Sequence, residues 1–217
     1  MKTTIGVIAT AAGIALGLFA PAAASAGGAQ AIIGRFASAW DGIKTYQCTI
    51  NSHELLGRDV QDRVYHFYFS KPLNTRAEIV AGDGRGSVGI WRGGSSVRGH
   101  QGGWLRGIKL NVNLHSRLAT TLRGTTFADA NLGALLKHLQ SLPTQMLQIA
   151  REGSDTVLVV RSGHPDPASG ITQEKYFFDR GSLPIRYEQY QSDTLVKRVT
   201  YSDMKLNPNL PPSLFDL

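Results

Sequence analysis

The chain has 217 residues, 42% of them hydrophobic, with one cysteine and a formal net charge of +7 at pH 7. A single cysteine excludes an internal disulfide and a cysteine-based structural zinc site, and the length fits one domain with a full core. The positive excess favours anionic partners such as phospholipid headgroups or an acidic protein patch. The basic residues are scattered without a run of five or six, which is not the pattern of a nucleic-acid binder.

The chain opens on an export signal. Lys2 gives a basic start, an apolar run extends from Ile5 to Phe19, Pro21 breaks it, and Ala24-Ser25-Ala26 forms an A-x-A cleavage site. The run is short and glycine-broken against the roughly 20 apolar residues that a membrane span needs. Cleavage after Ala26 is expected, releasing residues 27–217 as a single periplasmic domain.

From "AIIGRFASAW" the apolar spacing is helical. Ile32, Ile33, Phe36 and Trp40 make one stripe, and Asp41-Gly42 ends it. "KTYQCTI" reads as a strand. "DRVYHFYFS" then alternates, with Tyr65, Phe67 and Phe69 on one face and Val64, His66 and Tyr68 on the other. "TRAEIVA", "SVGIW" and "SVRGH" are strands divided by glycine turns, the signature of consecutive antiparallel hairpins. "WLRGIKLNVNL" reads as a further strand, placing Trp104, Ile108, Leu110, Val112 and Leu114 on one face.

The strand pattern stops near Leu114. "HSRLATTL" is read as a short helix and "TTFADANLGALLKHLQSLP" as a longer one. Thr126 and Asp129 resemble its capping box, and Leu132, Leu135, Leu136 and Leu139 are its apolar stripe. Strands resume with "QMLQIAR", "DTVLVVRS", "TQEKYFFD", "LPIRYEQY" and "TLVKRVTYSDM", and the tail "LNPNLPPSLFDL" ends in an apolar plug, Leu214 and Phe215. The expected fold class is mainly β (α+β): a strongly curved antiparallel sheet of about eleven strands, with a helix before it and a helical insertion after the sixth strand.

Gly84 to Gly89, GRGSVG, fits the dinucleotide motif G-x-G-x-x-G. That motif needs a helix after it, whose N-terminus holds the pyrophosphate. Here a strand and another glycine turn follow, so the segment is read as a hairpin turn and no nucleotide is expected. The six histidines show neither H-E-x-x-H nor H-x-H spacing, no serine sits in G-x-S-x-G, and no metal or cofactor is expected. His53-Glu54 has the residue types for acid–base work, but a surface pair is the expectation. Cys48 is read as a small buried hydrophobe. No catalytic machinery is visible, and the chain is not expected to be an enzyme.

What stands out is apolar surplus. Amphipathic helices lying over a curved sheet would either fill its inner face as a dry core or act as a lid over an apolar cavity. Candidate cavity residues from strands are Tyr65, Phe67, Phe69, Ile79 and Val88, followed by Ile90, Trp104, Ile108 and Leu110. Candidate lid residues are Phe36, Trp40, Leu132, Leu135, Leu136 and Leu139.

The order of segments resembles the periplasmic lipoprotein-carrier (LolA/LolB-like) superfamily. The resemblance rests on the export signal, on "FASAWDGIKTYQCTI", on "GRDVQDRVYHFYFSKPLNTRAEI" with its basic-Pro pair Lys71-Pro72, and on the closing "FDRGSLPIRYEQYQSDTLVKRVTYSDMKLNPNLPPSLFDL". It implies an incomplete β-barrel closed by a helical lid, enclosing an apolar cavity for acyl chains, with Arg76 as a polar contact to the lid. Two departures, the glycine-rich basic "GHQGGWLRGIKL" and the lack of an extra C-terminal strand, favour lipid binding in general over strict lipoprotein delivery. The stretch with His53, Glu54 and Gly57 is similar to an uncharacterised subgroup of the superfamily.

The leading expectation is a monomeric periplasmic carrier or binding protein for lipid or lipoprotein acyl chains, working with the membrane surface or envelope membrane proteins. The alternatives are an envelope sensor or regulatory interaction module of the same fold without transfer activity, and an envelope hydrolase with dispersed residues.

Overall fold

A computed structural model describes residues 26–180 and 182–217 of the chain. The expected export signal, bar its last residue, lies outside them. Helix α1 (Ala26–Asp41) leads into β1 (Thr45–Leu56), β2 (Asp59–Ser70), β3 (Asn74–Gly82), β4 (Val88–Trp91), β5 (Ser96–His100) and β6 (Leu110–Asn113). Helix α2 (Leu132–Ser141) separates these from β7 (Leu147–Glu152), β8 (Asp155–Arg161), β9 (Gln173–Phe178), β10 (Pro184–Gln191) and β11 (Thr194–Leu206).

All eleven strands form one antiparallel sheet in the order β6-β5-β4-β3-β2-β1-β11-β10-β9-β8-β7. It is two meanders, β1–β6 and β7–β11, joined where the first strand pairs with the last. The sheet is open rather than closed into a barrel. Register irregularities in the β1–β11, β2–β3, β9–β10 and β10–β11 ladders bend the strands.

Alternation along β1 and β2 sets the inner face. Tyr46 pairs with Phe69, Cys48 with Phe67 and Ile50 with Tyr65, so these six side chains share one side. Both helices pack on that side. Ile32, Ile33 and Phe36 of α1 and Leu132, Leu136 and Leu139 of α2 are buried against Leu158, Val160, Tyr176 and Phe178, and the Phe36 and Phe178 rings meet edge to face at 5.9 Å. The basic-Pro pair has a local role here. Lys71 Nζ donates to the Trp40 carbonyl at 2.7 Å and sits 4.4 Å over the Trp40 ring. A cation thereby satisfies a carbonyl in the last turn of α1.

Three sequence expectations need correction. Helix α2 begins at Leu132, capped by the Asn131 side chain accepting from the Ala134 N–H. The Thr126–Asp129 box does form, with the Thr126 N–H and hydroxyl both donating to Asp129 Oδ2. It closes a turn upstream of the helix. Second, "HSRLATTL" is turns and bends rather than helix. Third, the strand expected from Trp104 starts only at Leu110. Gly103 takes a positive φ of 66°, and residues Gly103–Gly107 make a 3₁₀ turn in place of extended chain.

The outer face carries the C-terminal tail. Phe215, in a short turn at Pro212–Phe215, is buried, and the tail's carbonyls accept from Arg76, Arg92 and Lys109.

Candidate functional site

The helices fill the inner face over the β7–β11 half of the sheet. They also cover the near end of β1 and β2, where Trp40 packs on Tyr46 and Phe69, and beside this packed region a cavity of about 470 Å³ remains. Its floor is built by the two-residue alternation of the central strands: Ile50 from β1, Tyr65 and Phe67 from β2, Ala77 and Ile79 from β3, and Tyr187, Val199 and Tyr201 from β10 and β11. Val97, Leu110 and Val112 close one side.

The roof is the connection between β6 and α2. Leu118, Ala119, Phe127 and Ala130 from this loop, with Leu135 from α2, face the space. Trp91, Val97, Leu114 and Ala119 pack into a small cluster that anchors the start of the loop. The Phe127 ring rests on the bare backbone of Gly89, where a Cβ would lie 2.3 Å from its Cζ. GRGSVG therefore gives close approach at Gly89 and positive φ at Gly84 and Gly86. No helix follows it, and the hairpin reading stands.

Polar straps tie the loop to the sheet. Gln61 and Glu54 are cross-strand neighbours. Gln61 Oε1 accepts from the Leu122 N–H at 2.9 Å and Glu54 Oε2 from the Arg123 N–H at 2.7 Å. The Arg123 guanidinium spans the carbonyls of Leu55 and Ser169 at 2.7 and 2.9 Å. Glu54 and Lys197, opposite each other on β1 and β11, are 0% and 4% exposed. Lys197 Nζ lies 2.9 Å from Glu54 Oε1 in a buried ion pair and donates to the Thr125 hydroxyl. Burial alone would raise the Glu54 carboxyl. Lys197, the Arg123 N–H and the Thr121 hydroxyl together hold it below its ordinary value.

A second buried carboxylate, Glu174, ties α2 to the sheet. It accepts from the Tyr176 hydroxyl at 2.9 Å and the Gln189 amide at 2.8 Å, and meets His138 Nε2 at 2.8 Å. Burial raises its carboxyl, and His138, Gln189 and Tyr176 bring it below the ordinary value.

Of the candidate cavity and lid residues, Tyr65, Phe67, Ile79, Val88, Leu110 and Leu135 border the cavity. Phe36, Phe69, Leu132, Leu136 and Leu139 are buried in the packed core, with Trp40 half-buried against it. Ile90 is buried beside Arg76 in the β3–β4 ladder, on the outer side of the sheet. Trp104 and Ile108 are 89% and 50% exposed, turned outward by the 3₁₀ segment. Arg76 does not meet the lid. It pairs with Glu78 at 2.6 Å and donates to the carbonyls of Leu214 and Asp216.

His53 and Glu54 fall on opposite faces because they are adjacent on a strand. His53 is on the surface, 2.8 Å from Asp62, while Glu54 is wholly buried, so the expected surface pair is only half present. Burial, with Asp203, pushes the Cys48 thiol up to about 12, where it is unreactive. Among the described residues no three His, Cys, Asp or Glu side chains gather as a metal site, and no helix is long and apolar enough to cross a membrane.

The roof residues and the Glu54–Lys197 pair escaped the sequence reading. The alternation Tyr46, Cys48, Ile50, Ser52, Glu54 already placed Glu54 on the buried face.

No family model and no curated protein sequence matches the chain. Solved structures similar to it include a domain described as an outer membrane lipoprotein-sorting protein from Vibrio parahaemolyticus, at 11% identity, covering 88% of this chain and 97% of that one, TM-score 0.47. Another is a LolA superfamily protein from Nitrosomonas europaea, at 15% identity, covering 87% and 97%, TM-score 0.43. A third is the lipoprotein LppX of Mycobacterium tuberculosis, at 11% identity, covering 86% and 99%, TM-score 0.48.

Proposed function

We propose that residues 27–217 act as one exported carrier or binding unit that holds lipid or lipoprotein acyl chains in the cavity between β1–β6 and the loop above them. The observation that carries this reading is the cavity itself. At about 470 Å³ it falls within the roughly 300–1,000 Å³ of ordinary ligand sites. Aromatic and branched side chains, among them Ile50, Tyr65, Phe67, Ile79, Tyr187 and Val199, make its floor. Each methylene moved from water into such a space contributes roughly 0.8 kcal/mol, so an acyl chain binds without chemistry. Loading and release require the β6–α2 loop to lift, which its few straps permit and which contact with a membrane surface or an envelope protein would bias. The periplasm is the compartment consistent with the export signal.

The test is native mass spectrometry of protein from its own envelope fraction, with uptake of a fluorescent fatty acid by delipidated protein. Co-purifying lipid and saturable uptake at one site per chain are expected. Absence of both overturns the proposal.

A further inference from the structure

Three arginines stand among the side chains that line the cavity. Arg63 from β2, Arg85 from the β3–β4 turn and Arg117 from the roof loop all border it, and among the described residues none of the three has a carboxylate within ion-pair distance. Arg63 is partly committed, donating to the Asp83 carbonyl at 2.9 Å and lying 3.5 Å from the Tyr65 hydroxyl. Arg85 and Arg117 are exposed. The wall also carries the Glu54–Lys197 ion pair and one carboxylate, Asp129, that is hydrogen-bonded to Thr126 rather than ion-paired.

The sequence from the β3–β4 turn through the roof loop shows the same bias. Residues 84–128 contain no Asp or Glu, while Arg85, Arg92, Arg98, Arg106, Lys109, Arg117 and Arg123 fall within them. Two of these are spent elsewhere, Arg92 on Asp216 and the tail and Arg123 on strapping the loop. Arg85 and Arg117 remain at the cavity, together with Arg63.

We infer that the ligand is an amphiphile with an anionic head, a carboxylate or a phosphate, whose chain lies over the apolar floor and whose head is met by Arg63, Arg85 and Arg117. Guanidinium forks match both anions in geometry. This inference rests on the carrier reading above and names its ligand class.

The experiment compares the binding of matched single-chain probes below their aggregation limits: palmitate, monopalmitoylglycerol, and the lysophospholipids with phosphoglycerol and phosphocholine heads. Palmitate is expected to bind at least about tenfold more tightly than monopalmitoylglycerol, the size of one charge-assisted hydrogen bond, with the preference shrinking as salt rises. The lysophosphoglycerol probe separates the two sources of anion. Binding as tight as palmitate assigns a phosphate-headed lipid as well, and weaker binding assigns the carboxylate. In the doubly substituted variant R85Q/R117Q, altered only at exposed positions, the preference for palmitate over monopalmitoylglycerol should fall severalfold. Adding Arg63→Gln, with thermal unfolding checked alongside, should remove it. Equal affinity for palmitate and monopalmitoylglycerol, or a preference untouched in R85Q/R117Q, overturns the inference and leaves the carrier reading standing. Failure of every probe to bind overturns both.

Discussion

Lys197 Nζ and Glu54 Oε1 lie 2.9 Å apart, joining the chain's first and last strands at the one place where the two meanders meet. Removing one member leaves the other charged and dry, which typically costs about 3–5 kcal/mol. Lys197→Met is therefore expected to destabilise the chain by that order in urea unfolding. The double substitution E54L/K197M should recover most of the loss, because two apolar side chains replace two charges. It should still leave the Arg123 N–H without its acceptor, and so loosen the roof loop. Hydrogen exchange at Arg123 in the double variant is the measurement. Unchanged protection there would refute the strap.

Acid should act on the same buried carboxylates. Glu54 and Glu174 are both held below the ordinary carboxyl value of 4.5. A depressed value contributes stability that is complete above the unfolded value and disappears as pH falls through the folded one. Stability is therefore expected to drop steeply below about pH 4.5, and less steeply in E54L/K197M. Parallel curves for the two proteins would contradict this.

His138 shifts in the opposite direction. Its hydrogen bond to Glu174 raises it above 6.5, outweighing the opposing effect of burial. A raised value contributes stability that is complete below the unfolded value and is lost as pH rises through the folded one. His138→Gln should narrow the difference in melting temperature between pH 5.5 and pH 8.5. The ring is 44% exposed, so the effect should be small. A variant whose pH dependence matches that of the parent would remove the pair from the account.

Gly89→Ala puts a methyl carbon 2.3 Å from Phe127 Cζ, so the ring has to leave the floor it rests on. The expected cost is about 1–3 kcal/mol, as for other overpacked sites, with faster release of a bound fluorescent fatty acid. Adding Phe127→Ala should restore part of the stability and none of the retention. Unaltered release in Gly89→Ala would show that the roof does not gate the cavity.

Trp104 and Phe36 provide a contrast in burial. Trp104→Ala, at a position 89% exposed, should change stability by no more than about 0.5 kcal/mol. Phe36→Ala, at 0% exposed, should cost about 3–5 kcal/mol. Chemical denaturation of both variants checks the corrected placement of the Gly103–Gly107 turn.

These contrasts show what the sequence made legible. The eleven strands and the stripe Ile32, Ile33, Phe36 follow from local periods, and local periods are written into consecutive residues. Trp104 was misplaced because alternation was read through Gly107, although glycine-bounded segments readily leave extended conformation. The start of α2 was placed too early because Thr126 and Asp129 satisfy each other as a capping pair does, and only the chain's later course shows that a turn closes there. The roof loop carries no period at all. Its place over the cavity comes from Gln61, Glu54 and Ser169, partners distant in sequence. Glu54 was read as a surface residue, although alternation continued from Tyr46 puts it on the buried face, and Lys197 could be matched to it only through the β1–β11 register.

The pairing of β1 with β11 also has a kinetic consequence. A central strand must wait for a partner some 150 residues downstream, with Tyr46 opposite Leu206, so the N-terminal meander stays half-finished until almost the entire chain is present. Such non-local closure is slow, and in the interval the aromatic side of β2 stands open to chance association. Loss of even the final dozen residues of β11 would remove the strand that splices the two halves, rather than trim an edge.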